Sequence, residues 1–193
     1  MMYSPSRLVL VTGPKHSGKS LCSVELGKIT GYKVVDLDEL TEKQTGKSPR
    51  TLYIEGPEIF RKAEALALDA LIRTFEPLPG SEIPSQPGSG LVVAAGGGLI
   101  DNSEAVALLS RLLNSSGCVE LIVVYLEVSA ETAWQRIIAD GELPPFLGTE
   151  NSMETHLAIH RRRSESYKAF ASITILAENK TPREIAMEIA GQI

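Results

Sequence analysis

Residues 8–20 read LVLVTGPKHSGKS, an apolar run that passes through a glycine into the start of an amphipathic stretch. LVLVT at 8–12 shows no polar alternation, the mark of a strand covered on both faces. Residues 19–29 then repeat apolar side chains at helical spacing. Inside this strand, turn and helix, Gly13-Pro14-Lys15-His16-Ser17-Gly18-Lys19-Ser20 fits G-x-x-x-x-G-K-[ST] at every fixed position. Glycines let the backbone turn its N–H groups inward around phosphates, and the helix N-terminus adds partial positive charge. Lys19 reaches the outer phosphates and the Ser20 hydroxyl ligates Mg²⁺, so 13–21, from Gly13 to Leu21, form a candidate site for ATP and its metal.

Working outward, short apolar runs alternate with longer amphipathic ones. Strands are expected at 33–36, 91–95, 120–127 and 171–176, and helices at 57–74, 103–113, 130–139 and 182–189. Five parallel strands joined by right-handed crossovers make a three-layer α/β/α domain with ligands at the carboxyl ends of the strands. Residues 77–90 hold four prolines and three glycines and read as a surface connection, so 1–193 is expected to form one domain.

At 193 residues, 43 % hydrophobic and 22 % charged, the chain is long enough for one continuous core. Its 19 basic and 24 acidic residues give a net charge of −5, which excludes a global positive field for nucleic acid or an anionic membrane. Cys22 and Cys118 are far apart and are expected as small core residues. No segment resembles a signal peptide or a spanning helix, so a cytoplasmic protein, taken as a monomer, is expected.

A nucleotide site of this type needs a carboxylate beside the metal. The strand at 91–95 ends in glycines, which leaves Val34-Val35-Asp36-Leu37-Asp38. Alternation at a strand end would put Asp36 and Asp38 on one side, one serving the metal and the other a substrate. The plainer reading of the pair is one strand-end carboxylate and one helix N-cap.

These residues, in this order, resemble the shikimate kinase family of small P-loop kinases. The resemblance runs from the P-loop through Asp36-x-Asp38, Phe60-Arg61-x-x-Glu64, Gly96-Gly97-Gly98 and 124–136 to Arg163-x-x-x-Tyr167. It implies a substrate-binding segment over about 33–75 and a lid over about 140–155. It implies that Ser20 and Asp36 hold Mg²⁺ and that Asp38 binds the acceptor hydroxyl and takes its proton. Arg61 and Arg163 would grip the acceptor carboxylate beside Gly96, Gly97 and Gly98, with Arg136 against the adenine. Glu64, three residues beyond Arg61, is expected to orient the Arg61 guanidinium.

The family carries R-P-L-L in its lid, where this chain reads Gly141-Glu142-Leu143-Pro144-Pro145-Phe146-Leu147, and no lysine or arginine occurs from 137 to 160. Lys15, an extra lysine inside the P-loop, is the expected replacement, with Arg161 and Arg162 a weaker source. Phe146 and Leu147 are expected to close over the reaction and exclude water. His16 is expected at the surface, Trp134 partly buried, and His156 with His160 to be a helix-face pair without a metal. The expected activity is ATP-dependent phosphorylation of a small carboxylated alcohol, with shikimate foremost. A related kinase with another acceptor and a non-catalytic ATP-binding regulator are the alternatives.

Overall fold

The computed structural model describes residues 6–75, 90–114, 119–141, 143–148, 150 and 152–193. The connection expected over 77–90 falls outside them except for Gly90, as does Cys118. In chain order the elements are β1 (Ser6–Thr12), α1 (Lys19–Thr30), β2 (Lys33–Asp36), α2 (Leu37–Thr45), α3 (Pro49–Glu55), α4 (Pro57–Phe75) and β3 (Gly90–Ala94). There follow α5 (Ser103–Leu113), β4 (Val119–Glu127), α6 (Ala130–Asp140), α7 (Ser152–Phe170), β5 (Ile173–Leu176) and α8 (Pro182–Ala190). Single 3₁₀ turns lie at Leu99–Asp101 and Pro145–Leu147.

The five strands form one parallel sheet in the order β2-β3-β1-β4-β5. β1 lies at its centre, with Leu8 opposite Leu91 and Leu121, and Leu10 opposite Val93 and Val123. The unbroken apolar run of β1 has a simple cause: both of its faces are covered. Leu8 and Leu10 pack with Leu68 of α4 and Leu109 of α5, while Val9 and Val11 pack with Cys22 and Leu26 of α1 and Ile185 and Ile189 of α8. All ten of these side chains are essentially sealed from solvent, each worth roughly 1.5–3 kcal/mol of burial for the larger aliphatics.

The strand order fixes the site. The connection after β1 leads toward β2, and the one after β3 crosses to β4 on the opposite side of β1. The crevice where successive crossovers part lies beyond the carboxyl ends of β1 and β3. Residues 13–20 leave the first of these ends and Gly96–98 follow the second, so chain order alone brings the two glycine-rich turns together.

One expectation about β2 is corrected. The chain leaves the strand at Asp36, which is the N-cap of α2, so Asp38 sits in the first helical turn and not on an alternating strand end. The helix starts there because the Asp36 side chain offers an acceptor to the N–H groups of Asp38 and Glu39, at 3.0 and 3.4 Å. Gly46, at φ +71°, ends α2, and the Ser48 cap with Pro49 at the first turn starts α3.

Candidate active site

A cleft of about 370 Å³ opens at the crevice, lined by residues of the P-loop, Gly96–98, α3 and Pro144–Phe146. Gly13 turns at φ +146°, and a Cβ there would lie 2.7 Å from the Leu126 carbonyl and 2.9 Å from Ser17 Oγ. Only glycine passes through that gap. His16 also takes a left-handed conformation, φ +62°, which costs a non-glycine residue of order 1 kcal/mol and fits a loop held in a strained cradle.

Lys19 Nζ donates to the Pro14 carbonyl across the loop at 2.7 Å, and burial pushes its pKa down to about 8. Ser17 Oγ is buried without a hydrogen-bond partner, and a buried polar atom so left calls for a ligand or water. Arg136 Nη1 donates to the His16 carbonyl at 2.9 Å, which sets its guanidinium against the loop. His16 is half-buried and not at the open surface, with Nε2 3.6 Å from Asp140; burial and the Lys15 charge push its pKa down.

Ser20 Oγ donates to Asp36 Oδ2 at 2.7 Å while Oδ1 of the same carboxylate caps α2. One residue therefore fills both places of the plainer reading, strand-end carboxylate and N-cap. The two hard oxygens at the loop mouth fit Mg²⁺, which takes one or two protein ligands and leaves the rest to water and phosphate. Asp38 lines the cleft with Oδ1 buried and unpartnered. Burial raises its pKa, and the neighbouring Asp36 charge adds to the rise.

Behind Asp38 lies a second buried carboxylate. A Cβ on Gly96 would stand 2.9 Å from Asp38 Oδ1 and 3.0 Å from Glu64 Oε1, so both acids press against bare backbone. Glu64 Oε2 accepts from Asn102 Nδ2 at 2.9 Å, Oε1 has no partner, and burial pushes the carboxyl up to about 7. This corrects the expectation that Glu64 holds Arg61. The face of α4 carrying Glu64 turns into the core, and Arg61 Nη1 pairs one turn back with Glu58 at 3.3 Å. Arg61 is not among the residues lining the cleft.

Arg163, from α7, does line it. Its Nε donates to Asp101 Oδ2 at 2.8 Å, its Nη1 to the Gly97 carbonyl at 3.1 Å, and the Phe146 ring covers it at 5.0 Å. Tyr167 Oη donates to the same Gly97 carbonyl at 2.8 Å. Arg162 grips Asp101 with two bonds of 2.9 Å. Burial works to raise the Asp101 carboxyl, but the two arginines outweigh it and hold the pKa below the usual range.

The profile of the shikimate kinase family matches residues 15–193. The chain belongs to the shikimate kinase family. It is 32 % identical to the shikimate kinase of Persephonella marina over 97 % of this chain and 99 % of that one. To the enzyme of Actinobacillus pleuropneumoniae it is 27 % identical over 95 % and 93 %. The Acinetobacter baumannii shikimate kinase, solved in complex with shikimate, superposes with a TM-score of 0.76 at 26 % identity, covering 98 % of this chain and 92 % of that one. A deoxyadenosine kinase of M. mycoides, at TM-score 0.54 and 18 % identity, shares the fold alone. The protein is thus a small-molecule kinase of a family that uses ATP.

Lys15, Gly96, Gly97 and Gly98 line the cleft. Arg161 is exposed. Trp134 is half-buried, its ring 5.5 Å from that of His156, whose Nε2 meets the Ala130 carbonyl at 2.9 Å. Among the described residues no helix is long and apolar enough to cross a membrane. Sequence reasoning missed Arg50, which lines the cleft and donates from Nη1 to the Leu143 carbonyl at 3.0 Å, and it missed Asp101 and Asn102. A lone arginine after Ser48-Pro49 carries no motif; its place depends on a contact 93 residues away.

Proposed function

We propose that the protein phosphorylates shikimate, transferring the γ-phosphoryl group of ATP to one of its hydroxyls. The observation that carries this reading is a single cleft. There the P-loop lysine and the Ser20–Asp36 pair face Asp38, Gly96–97 and Arg163, in a family whose Acinetobacter baumannii member was solved with shikimate.

The roles follow from the chemistry of each group. Residues 13–21 cradle the triphosphate, Lys19 exchanges its Pro14 bond for phosphate oxygens, and Arg136 flanks the adenine. Ser20 and Asp36 hold Mg²⁺, which neutralises charge on the phosphates when bound. Asp38, its Oδ1 lacking a partner and its pKa raised, accepts the hydroxyl proton as the acceptor oxygen attacks. Arg163, planar and fixed by Asp101 and Gly97, takes the acceptor carboxylate. Arg61 joins only by leaving Glu58, a surface pair worth about 0–1 kcal/mol and so easily broken. Residues 33–75 act as the substrate-binding segment and 140–155 as the lid of one domain. The enzyme works as a monomer in the cytoplasm, where ATP is plentiful.

The test is a coupled ADP-release assay with shikimate and a panel of other hydroxy acids. The expected result is shikimate-dependent ADP release that falls at least a hundredfold in Lys19→Met and in Asp38→Asn. Turnover of another acceptor with none of shikimate would make this a related metabolite kinase. ATP binding without transfer to any acceptor would make it a nucleotide-binding protein.

A further inference from the structure

Phosphoryl transfer spreads negative charge over the oxygens of the moving group, and cations fixed in place must meet it. Residues 137–160, which supply Pro144, Pro145 and Phe146 to the cleft lining, contain neither lysine nor arginine. That part of the wall brings no positive charge, so the charge has to come from the rest of the lining.

Of the lysines and arginines that line the cleft, three are held. Lys19 Nζ lies on the Pro14 carbonyl, Arg163 is fixed by Asp101 and the Gly97 carbonyl, and Arg50 is bound to the Leu143 carbonyl. Lys15 is different: it lines the cleft without a hydrogen bond or an ion pair among the described residues. The P-loop pattern makes no demand on this position, so the cradle itself does not require a lysine there.

The backbone decides where that side chain starts. A Cβ on Gly97 would lie 2.9 Å from the Lys15 amide nitrogen and 3.4 Å from its Cα. Bare backbone at Gly97 therefore lets the P-loop press against the turn after β3, and Lys15 is rooted at the seam between the two. From this root the half-buried side chain enters the cleft. Its charge acts on both sides of the seam, working to lower the pKa of Lys19 and of Asp38. Lys19 serves the nucleotide and Asp38 the acceptor hydroxyl, and the transferred group passes between them. An ammonium on a flexible four-carbon stem, with three rotatable donors, can follow that passage.

We propose that Lys15 is the cation that meets the transferred phosphoryl group, donating to its oxygens as it moves from ATP to the acceptor. The bond from phosphorus to the acceptor oxygen forms as the bond to the β–γ bridging oxygen breaks. ADP keeps that electron pair, the hydroxyl proton goes to Asp38, and Lys15 stays an ammonium throughout. The assignment rests on the phosphotransfer reading above and adds to it the charge that residues 137–160 lack.

Two substitutions isolate the charge. Lys15→Gln keeps a polar side chain with an N–H donor and removes the charge, and Lys15→Arg restores it. In the assay above, Lys15→Gln is expected to lower kcat about a hundredfold or more, with KM for ATP and for shikimate within about threefold of the unsubstituted protein. Lys15→Arg is expected to keep about a tenth or more of the original kcat. A group that acts in the transition state is also seen by a mimic of that state. By titration calorimetry, ADP with aluminium fluoride and shikimate is expected to bind Lys15→Gln about a hundredfold more weakly, while a non-hydrolysable ATP analogue binds within about threefold.

Turnover of Lys15→Gln within about threefold of the unsubstituted protein overturns the proposal and leaves Lys15 a solvated loop residue. Equal losses in the Gln and Arg variants also overturn it, as does loss of affinity for the ATP analogue in step with kcat; either makes Lys15 a support for the shape of the loop. An unsubstituted protein that binds ATP and phosphorylates no acceptor overturns the proposed function and this role with it. That result is distinct from the others, each of which begins from an unsubstituted protein that transfers phosphate.

Discussion

Glu64 carries a chemical conflict that a single substitution exposes. It is buried under Gly96 with one oxygen unpartnered, and burial lifts its pKa from 4.5 to about 7. Between those values the folded protein keeps a proton that the unfolded chain has released. Stability from this group is therefore fully present below about pH 4.5 and is lost as pH rises through 7. The shift corresponds to about 3 kcal/mol once the group is ionised. Glu64→Gln is neutral throughout, so the Tm of the unsubstituted protein minus that of the variant should fall by several degrees between pH 5 and pH 8. A difference independent of pH would mean that Glu64 is ionised in the fold at no special cost. Nothing in the sequence announced this. Phe60-Arg61-x-x-Glu64 gives the spacing of an ion pair, but whether the i,i+3 partner faces Arg61 or the core depends on Asn102, thirty-eight residues further on.

At the scale of elements, legibility followed burial. β1, β3 and β4 could be read because each is apolar on both faces, and the P-loop because its glycines and lysine sit at fixed spacing. α2 and α3 were harder, since the chain goes from strand to helix at one residue whose carboxylate serves both as cap and as partner of Ser20. α7 lacks an aliphatic stripe; the side chains it buries are His156, His160 and Tyr167, which leave little hydrophobic periodicity. The 3₁₀ turn Pro145–Leu147 is tied to α7 by the Phe146 ring over Arg163. A cation–π contact of this kind is worth about 1 kcal/mol, roughly a fivefold shift in how often the turn is seated. Phe146→Ala is therefore expected to lower kcat about fivefold and to raise ATP hydrolysis relative to transfer, because water enters when the turn lifts. Comparing ADP release with phosphorylated acceptor formed gives that ratio, and an unchanged ratio would remove Phe146 from any part in excluding water.

On the scale of the whole molecule, the site is a meeting of five separate stretches: 13–20, 36–50, 96–101, 143–147 and 162–163. The first and third leave the carboxyl ends of β1 and β3, strands already sealed and fully paired. The second is anchored to that base through Asp36, paired with Ala94, and the buried Leu37 and Thr41, and it meets the fourth through the bond from Arg50 to the Leu143 carbonyl. Segments that line the cleft outside the sheet open at lower free-energy cost than the sheet, which opens only near the global unfolding energy. A ligand spanning the cleft touches both stretches at once, so it should order them together. With an ATP analogue and shikimate bound, amide exchange is expected to slow in 37–55 and in 143–148 in parallel, with β1, β3 and β4 unchanged. In Arg50→Ala the parallel should break: 37–55 still gains protection from the acceptor while 143–148 gains less. Protection confined to 143–148 in the unsubstituted protein would mean that α2 and α3 form a fixed wall and that the lid moves alone.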